Sequence, residues 1–149
     1  MSDDTHLRPH LVGINHVALE VGDIEQALEF YGQFFQFKLR GRSENMAFIE
    51  MGDQFLALSQ NSDRNPDQHR HFGLVVDDRS NLRARLEALD VEMIPGRGLN
   101  FRDPWGNYIQ VVVYADIQFS KTPAVLKGMG LELTKTLDAQ QQLHDKNMG

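Results

Sequence analysis

Cysteine is absent from the 149 residues, and its absence excludes several kinds of site at once. The chain can form no disulfide bond, offers no thiolate to a metal ion and has no cysteine nucleophile. A cysteine-free sequence is also compatible with a reducing compartment.

Long apolar runs are absent as well. No stretch approaches the roughly 18 residues of a membrane-spanning helix, and the segment Met1 to His6 lacks the basic and apolar regions of a signal peptide. We therefore expect a cytoplasmic protein without membrane contacts. The net charge of −6 argues against nucleic-acid binding, because a polyanion would not be attracted to this chain.

What the sequence does contain is an internal repeat. The motif His16-Val-Ala-Leu-Glu-Val-Gly-Asp23 recurs as His71-Phe-Gly-Leu-Val-Val-Asp-Asp78, 55 residues later, with four of the eight positions identical. Each copy places a histidine, which is able to bind a metal ion, at the start of a predicted strand. With 41% hydrophobic and 24% charged residues, the composition suits one globular domain built from two related halves.

The hydrophobic pattern predicts the same order of elements in both copies. In the first, apolar residues alternate over 13–21, Asp23 is placed to cap a helix, and strands follow at 37–42, 46–51 and 55–60. The second copy begins at His71, repeats the apolar helix face, and continues through strands near 92–94, 98–102 and 108–114, with a turn at Asp103–Gly106. The predicted fold class is α+β, with two βαβββ modules.

These elements divide the chain into a duplicated domain and two flanking segments. The domain spans 11–114, its repeats are 11–60 and 71–114, and a polar, turn-rich linker lies between them. Residues 1–10 form an N-terminal arm, and 115–149 form a helical extension without a copy in the first half. The extension has an apolar side, which we expect to pack on the body or on a second subunit, with a homodimer as the expected assembly.

Three segments of the chain together carry a family resemblance. They are the repeated motif, the helix segment Ala27-Leu-Glu-Phe-Tyr31 and the closing segment Asp103-Pro-Trp-Gly-Asn-Tyr-Ile-Gln110. Together they resemble the vicinal oxygen chelate superfamily. This group includes glyoxalases, extradiol dioxygenases and bleomycin-resistance proteins. The resemblance covers 11–114 and implies that the two modules form one curled mixed sheet with helices outside. It also implies that the concave faces enclose a divalent metal ion, which chelates neighbouring oxygen atoms of a small-molecule substrate.

The same resemblance implies a set of site residues. The family's metal ligands fall on His16, His71 and Gln110, and Gln110 stands where the family usually has glutamate; a fourth position falls on Leu56. The alternation in the strands independently places the two histidines and Gln110 on the faces opposite to the apolar ones. Because an amide cannot accept a proton at neutral pH, Glu20 is the candidate catalytic base, unless it is only a solvated carboxylate at a strand end.

Apolar and aromatic side chains are expected to line or rim the cleft, which would suit an apolar or aromatic substrate; they are Leu56, Leu58, Trp105, Tyr108 and Tyr114. Three functions stay open. The first is a lyase, isomerase or dioxygenase that uses Fe, Mn, Ni or Zn on a small molecule with vicinal oxygens. The second is a metal-free protein that binds or sequesters a small molecule, of the bleomycin-resistance type. The third is a scaffold whose C-terminal extension mediates assembly.

Overall fold

The computed structural model describes residues 8, 12, 14–61 and 65–149. Apart from residue 8, the predicted N-terminal arm lies outside the described residues, as does part of the linker. In chain order the elements are β1 (His16–Val21), α1 (Ile24–Gly32), β2 (Leu39–Arg42), β3 (Met46–Glu50), β4 (Phe55–Gln60), β5 (Phe72–Val76), α2 (Leu82–Ala88), β6 (Glu92–Met93), β7 (Leu99–Arg102), β8 (Tyr108–Val113), a 3-10 helix (Tyr114–Asp116), α3 (Pro123–Met129) and α4 (Leu137–Asp145).

The two βαβββ modules are confirmed, and each forms its own mixed sheet. The first sheet has the strand order β1-β4-β3-β2 and the second has the order β5-β8-β7-β6. In each sheet the first and last strands of the module run parallel, and the other pairs are antiparallel. The single curled sheet that was expected is therefore divided in two in this chain. Within the described residues, β1 and β5 are both edge strands.

Strand β1 shows how the repeated motif folds locally. Its odd-numbered residues Leu19 and Val21 are buried, whereas His16 at its start is exposed, as the alternation predicts. Asp23 then caps α1, because its side chain accepts a 2.8 Å hydrogen bond from the backbone nitrogen of Gln26. The motif thus sends the chain from a strand into a helix within a few residues.

The two modules pack against each other through their helix sides. One continuous apolar core contains residues of α1, α2 and both sheets. Helix α1 contacts the second sheet directly: the rings of Phe30 and Phe101 lie 6.2 Å apart, and the Tyr31 hydroxyl donates to Asp103. The faces that carry His16 and His71 therefore point away from this shared core; we call them the open faces.

The β7–β8 turn joins the modules through buried polar groups. Asp103 Oδ1 accepts hydrogen bonds from the backbone nitrogens of Trp105 and Asn107, at 3.0 and 2.9 Å. The Asn107 amide donates to Asp103 Oδ2 and to the backbone oxygen of Glu20, both at 2.8 Å. The turn that the Asp-Pro-Trp-Gly segment predicts is closed by a 3.0 Å bond from the Gly106 nitrogen to the Asp103 oxygen.

The extension contains two helices, in agreement with the sequence. Thr122 caps α3 and Thr136 caps α4, each through its side-chain oxygen. Lys135 donates to the backbone oxygens of Tyr114 and Ile117, at 2.6 and 2.8 Å, and so fixes the segment between the two helices to the end of the domain. No helix in the part of the chain that the structure describes is long and apolar enough to cross a membrane.

Candidate functional site on the open sheet faces

His16 stands at the start of β1 on the open face of the first sheet. Its ring stacks on Phe55, the opposite residue of β4, with 4.7 Å between centroids and 10° between planes. Its Nδ1 atom lies 2.9 Å from Oδ1 of Asn15. The imidazole is therefore exposed but held in one orientation by a ring and a hydrogen bond.

His71 repeats this arrangement in the second module. It directly precedes β5, and its ring stacks on Tyr108 of β8 with 4.9 Å between centroids and 30° between planes. Its Nδ1 atom lies 2.8 Å from the backbone oxygen of His69. The duplication thus preserves the histidine, its aromatic support and a hydrogen bond at Nδ1.

The two Nδ1 contacts indicate which nitrogen can bind a ligand. A carbonyl oxygen only accepts hydrogen bonds, so the Nδ1 atom of His71 must carry the proton. The amide oxygen of Asn15 imposes the same choice on His16. In the neutral form of either ring the lone pair then lies on Nε2, and this is the form in which histidine binds a metal ion.

An arginine–glutamate pair adjoins each supporting ring. The Arg40 guanidinium lies 4.6 Å from the Phe55 ring centroid, and it is bonded to both Glu50 carboxylate oxygens at 3.0 and 2.9 Å. The hydrogen bond from Arg40 lowers the pKa of Glu50, so this carboxylate stays charged. In the second module the Arg102 guanidinium, on β7, lies 5.9 Å from the Tyr108 ring centroid and pairs with Glu92 of β6.

Gln110 shares the open face of the second sheet with His71. It pairs with Gly73 in the β5–β8 register and with Asn100 in the β7–β8 register. Because His71, directly before β5, stands two positions before Gly73 in the extended chain, the two positions lie on the same face. Gln110 and His71 are therefore diagonal neighbours, and the oxygen that Gln110 offers belongs to a neutral amide.

Leu56 and Leu58 do not line the open face, and this corrects the sequence prediction. They are 2% and 0% exposed and belong to the shared core. The register pairs His16 with Phe55, which makes Ala57 the counterpart of Gln110 in the first module. A shift of one residue along a strand moves a side chain to the opposite face, and an alignment on Gly52 and Gly106 contains that shift.

Two aromatic residues also lie elsewhere than predicted. Trp105 packs against Gly22 in the first module, where a Cβ atom would come within 2.4 Å of the indole Nε1. Tyr114 is 6% exposed, and its hydroxyl accepts a hydrogen bond from the Lys121 nitrogen at 3.2 Å. Both rings serve packing between parts of the chain, because the turn after β7 and the 3-10 helix after β8 carry them away from the open face. Of the predicted cleft residues, Tyr108 lies on the open face.

Glu20 shares the face of His16 but stands at the other end of β1. Glu20 lies four positions after His16, which is about 13 Å along the strand at the usual rise per residue. The carboxylate is thus too far away to share a metal ion with His16 through direct bonds. Its role as a base stays a prediction.

One chain alone does not bring the three predicted ligands together. His16 lies on the first sheet, whereas His71 and Gln110 lie on the second, and the open faces point away from one core. Over residues 14–61 and 65–149, no group of three His, Asp or Glu side chains is placed to hold a metal ion. Each open face supplies part of a site, with one imidazole on the first and an imidazole and an amide on the second.

Known proteins resemble this chain in sequence and in fold. The family described as the Glyoxalase/Bleomycin resistance protein/Dioxygenase superfamily matches residues 13–111. Metallothiol transferase FosB of Lysinibacillus sphaericus (strain C3-41) is 29% identical over 96 residues, which cover 60% of this chain and 68% of that protein.

Two solved structures illustrate the likeness in fold. The fosfomycin resistance protein FosX from Listeria monocytogenes, in complex with Mn(II) and sulfate, has a TM-score of 0.59 and 19% identity, covering 68% of this chain and 92% of that one. Lactoylglutathione lyase from Agrobacterium tumefaciens has a TM-score of 0.55 and 24% identity, covering 70% and 96%. At these identities the likeness shows that the fold is shared.

Proposed function

Since the chain belongs to the Glyoxalase/Bleomycin resistance protein/Dioxygenase superfamily, we propose that it is a metal-dependent enzyme acting on a small molecule with two adjacent oxygen atoms. The observation that carries this proposal is the duplicated histidine geometry. His16 and His71 each stack on a ring and each bond an oxygen through Nδ1, which leaves Nε2 as the ligand atom. Relatives named as metallothiol transferase and lactoylglutathione lyase support an enzyme of this kind.

The site is formed between two copies of the chain. The open face with His16 belongs to one copy, and the open face with His71 and Gln110 belongs to the other. The sheets support this arrangement, because they share a core inside one chain and leave β1 and β5 as edge strands among the described residues. Edge strands and exposed sheet faces are suited to pairing with another chain.

The donor set fits a divalent first-row metal ion. Two imidazoles and an amide oxygen are ligands for Mn, Fe, Ni or Zn and leave positions open for two substrate oxygens. Such an ion, when bound, supplies Lewis-acid polarisation of a substrate oxygen. Phe55 and Tyr108 hold the imidazoles in place, and Phe48, 5.8 Å from Phe55, extends the apolar surface that a substrate would meet.

Gln110 shapes the chemistry that this site can perform. A neutral amide leaves the bound ion with a higher positive charge than a carboxylate would, and it accepts no proton at neutral pH. A reaction that removes a proton from the substrate therefore needs a different base. Glu20 of the same face as His16 is the residue that we propose for this role.

Calorimetric titration with manganese, nickel and zinc tests the proposal. The parent protein should bind one of these ions, His16→Ala and His71→Ala should abolish binding, and Gln110→Glu should tighten it, because a charged oxygen replaces a neutral one. His144→Ala is the matched control, since this exposed histidine lies on α4 and not on an open face. No binding by the parent and none gained by Gln110→Glu would defeat the metal-dependent function.

Mixing the two histidine variants tests whether the site joins two copies. A dimer of one His16→Ala chain and one His71→Ala chain contains one intact site and one that lacks both imidazoles. Random exchange of subunits should therefore restore metal binding to about one quarter of the sites. If both histidines came from the same chain, mixing would restore nothing.

A metal-free binding pocket is the second candidate. The observation that favours it is the neutral residue at position 110, together with the lack of three clustered His, Asp or Glu side chains among the described residues. In that case the aromatic surfaces around Phe55 and Tyr108 would hold a small molecule directly. Retained ligand binding after His16→Ala, in a protein that binds no metal ion, would favour it.

A further inference from the structure

The C-terminal extension leaves the second module, and its first part, Lys121 and α3, packs against the first module. Lys121 is the main contact: its Nζ atom donates a 2.8 Å hydrogen bond to the Met51 backbone oxygen and pairs with the Asp53 carboxylate. Both partners belong to the turn between β3 and β4. The Lys121 side chain is 8% exposed, so its ammonium is largely withdrawn from water at this contact.

Helix α3 closes over the same turn. Gly52 adopts a φ of +80°, and a Cβ atom there would lie 2.6 Å from Met129 Sδ and 3.2 Å from Val125 Cγ1. The first distance is shorter than non-bonded atoms tolerate, so a larger residue at position 52 would displace the Met129 side chain. The extension thus holds the turn by an ion pair on one side and by apolar packing on the other.

The β3–β4 turn is also hydrogen-bonded to the segment that carries His16. The Gln54 side chain donates a 2.9 Å hydrogen bond to the Ile14 backbone oxygen, and the Phe55 nitrogen donates to the Asn15 oxygen at 3.2 Å. Phe55 then stacks on the His16 ring. A continuous set of direct contacts therefore runs from Lys121 through the turn to the imidazole.

We propose that Lys121 is a positioning residue for the candidate site, which acts through the β3–β4 turn to fix Phe55 and His16. The inference rests on the proposed function only in taking His16 as a site residue. It assigns a specific task to the extension, and the extension lies outside the residues 13–111 that match the family. The corresponding turn of the second module is instead fixed by Asp103 and by the linker, whose Asp67 nitrogen donates to the Gly106 oxygen at 2.9 Å. The effect should thus be confined to the first module.

Nuclear magnetic resonance of the full chain tests this asymmetry without a metal ion. Lys121→Met keeps the aliphatic stem and removes the ammonium; we expect the ring signals of His16 and Phe55 to shift and the Phe55 amide to exchange faster with solvent. The ring signals of His71 and Tyr108 should stay in place. Lys127→Met, at an exposed position of α3, is the matched control and should change none of these signals.

Asp53→Asn provides a second variant in case Lys121→Met does not fold. Asp53 is 56% exposed, so its substitution leaves the core intact, and the Lys121 bond to Met51 remains. We expect smaller shifts of the same signals. Unmoved His16 signals in the folded variants, or equal shifts in both modules, would overturn the positioning role.

Metal titration separates this inference from the proposed function. If the parent binds a metal ion, Lys121→Met should weaken the affinity about tenfold, as is usual when the support of a ligand is disturbed. If the parent binds none, the proposed function fails, whereas a selective shift at His16 still supports the contact from Lys121 to the ring.

Discussion

The Tyr31 hydroxyl donates a 2.7 Å hydrogen bond to Oδ2 of Asp103, which belongs to the other module and follows 72 positions later. Tyr31 is 1% exposed, and burial, reinforced by the Asp103 carboxylate, raises its pKa, so the hydroxyl keeps its proton. Tyr31→Phe should lower the free energy of unfolding by about 1.5 kcal/mol, because a bond to a charged acceptor is lost while three other donors to Asp103 remain. Urea denaturation measures the change.

Tyr108→Phe is the control for this prediction, since it removes a tyrosine hydroxyl at a partly exposed position. Its effect on stability should be within about 0.5 kcal/mol. An equal loss in both variants would mean that the Tyr31–Asp103 bond contributes nothing of its own.

The assignment of Leu56 to the core can be tested by truncation. Leu56→Ala should lower the free energy of unfolding by about 2–5 kcal/mol, because a buried side chain is lost and a cavity is left. Leu137→Ala is the matched control: Leu137 is 84% exposed, against 2% for Leu56, and its truncation should have little effect. Denaturation of both variants measures the two losses. A small loss of unfolding free energy in Leu56→Ala would contradict the assignment of Leu56 to the core.

The Tyr108 ring should matter through its stacking on His71 and not through its hydroxyl. Tyr108→Leu should weaken metal binding about 10-fold or more, because the ring that holds the imidazole is lost. Tyr108→Phe keeps the ring and should bind like the parent. Titration calorimetry of the two variants decides the matter, and a similar loss in both would point to the hydroxyl instead.

Acid should weaken the contact between the extension and the first module. The hydrogen bond from Lys121 lowers the pKa of Asp53 below its ordinary value of 3.8, so the charged form is favoured in the folded state. The resulting stability is fully present above that ordinary value and is lost as the pH falls through the lowered pKa. Because Asp53 is largely exposed, the contribution is modest, about 0.2–1 kcal/mol.

Denaturation of the parent and of Asp53→Asn at several pH values checks this expectation. The difference in free energy of unfolding should be constant from neutral pH to about pH 4 and should shrink below it. A difference that grows in acid would contradict the assigned direction.

The local patterns in the sequence predicted most of the fold. The alternation of apolar residues predicted the strands, as the burial pattern of β1 illustrates. Asp23 predicted the start of α1, and its side chain accepts the capping hydrogen bond. The repeat at His16 and His71 predicted two equivalent modules, and the structure contains both. These features depend on neighbouring residues, so a single sequence reveals them.

The sequence predicted the position of Leu56 and the number of sheets wrongly, because both depend on how separate strands are aligned and packed. The chain needs three residues from Gly52 to reach the ring that supports His16, but two from Gly106 to reach Tyr108. An alignment on the glycines therefore placed Leu56 where Ala57 belongs. The division into two sheets could not be predicted either. The alternation shows which face of a strand is apolar, but it does not show which element packs against that face.

The packing of α1 between the sheets also bears on the order in which the chain folds. Phe30 and Tyr31 are synthesised early, yet the groups that cover them, Phe101 and Asp103, follow some 70 residues later. The first module thus cannot bury this helix on its own, however complete its four strands are. The β7–β8 turn must therefore be in place before this part of the core can close, which couples the folding of the two modules through contacts between distant parts of the sequence.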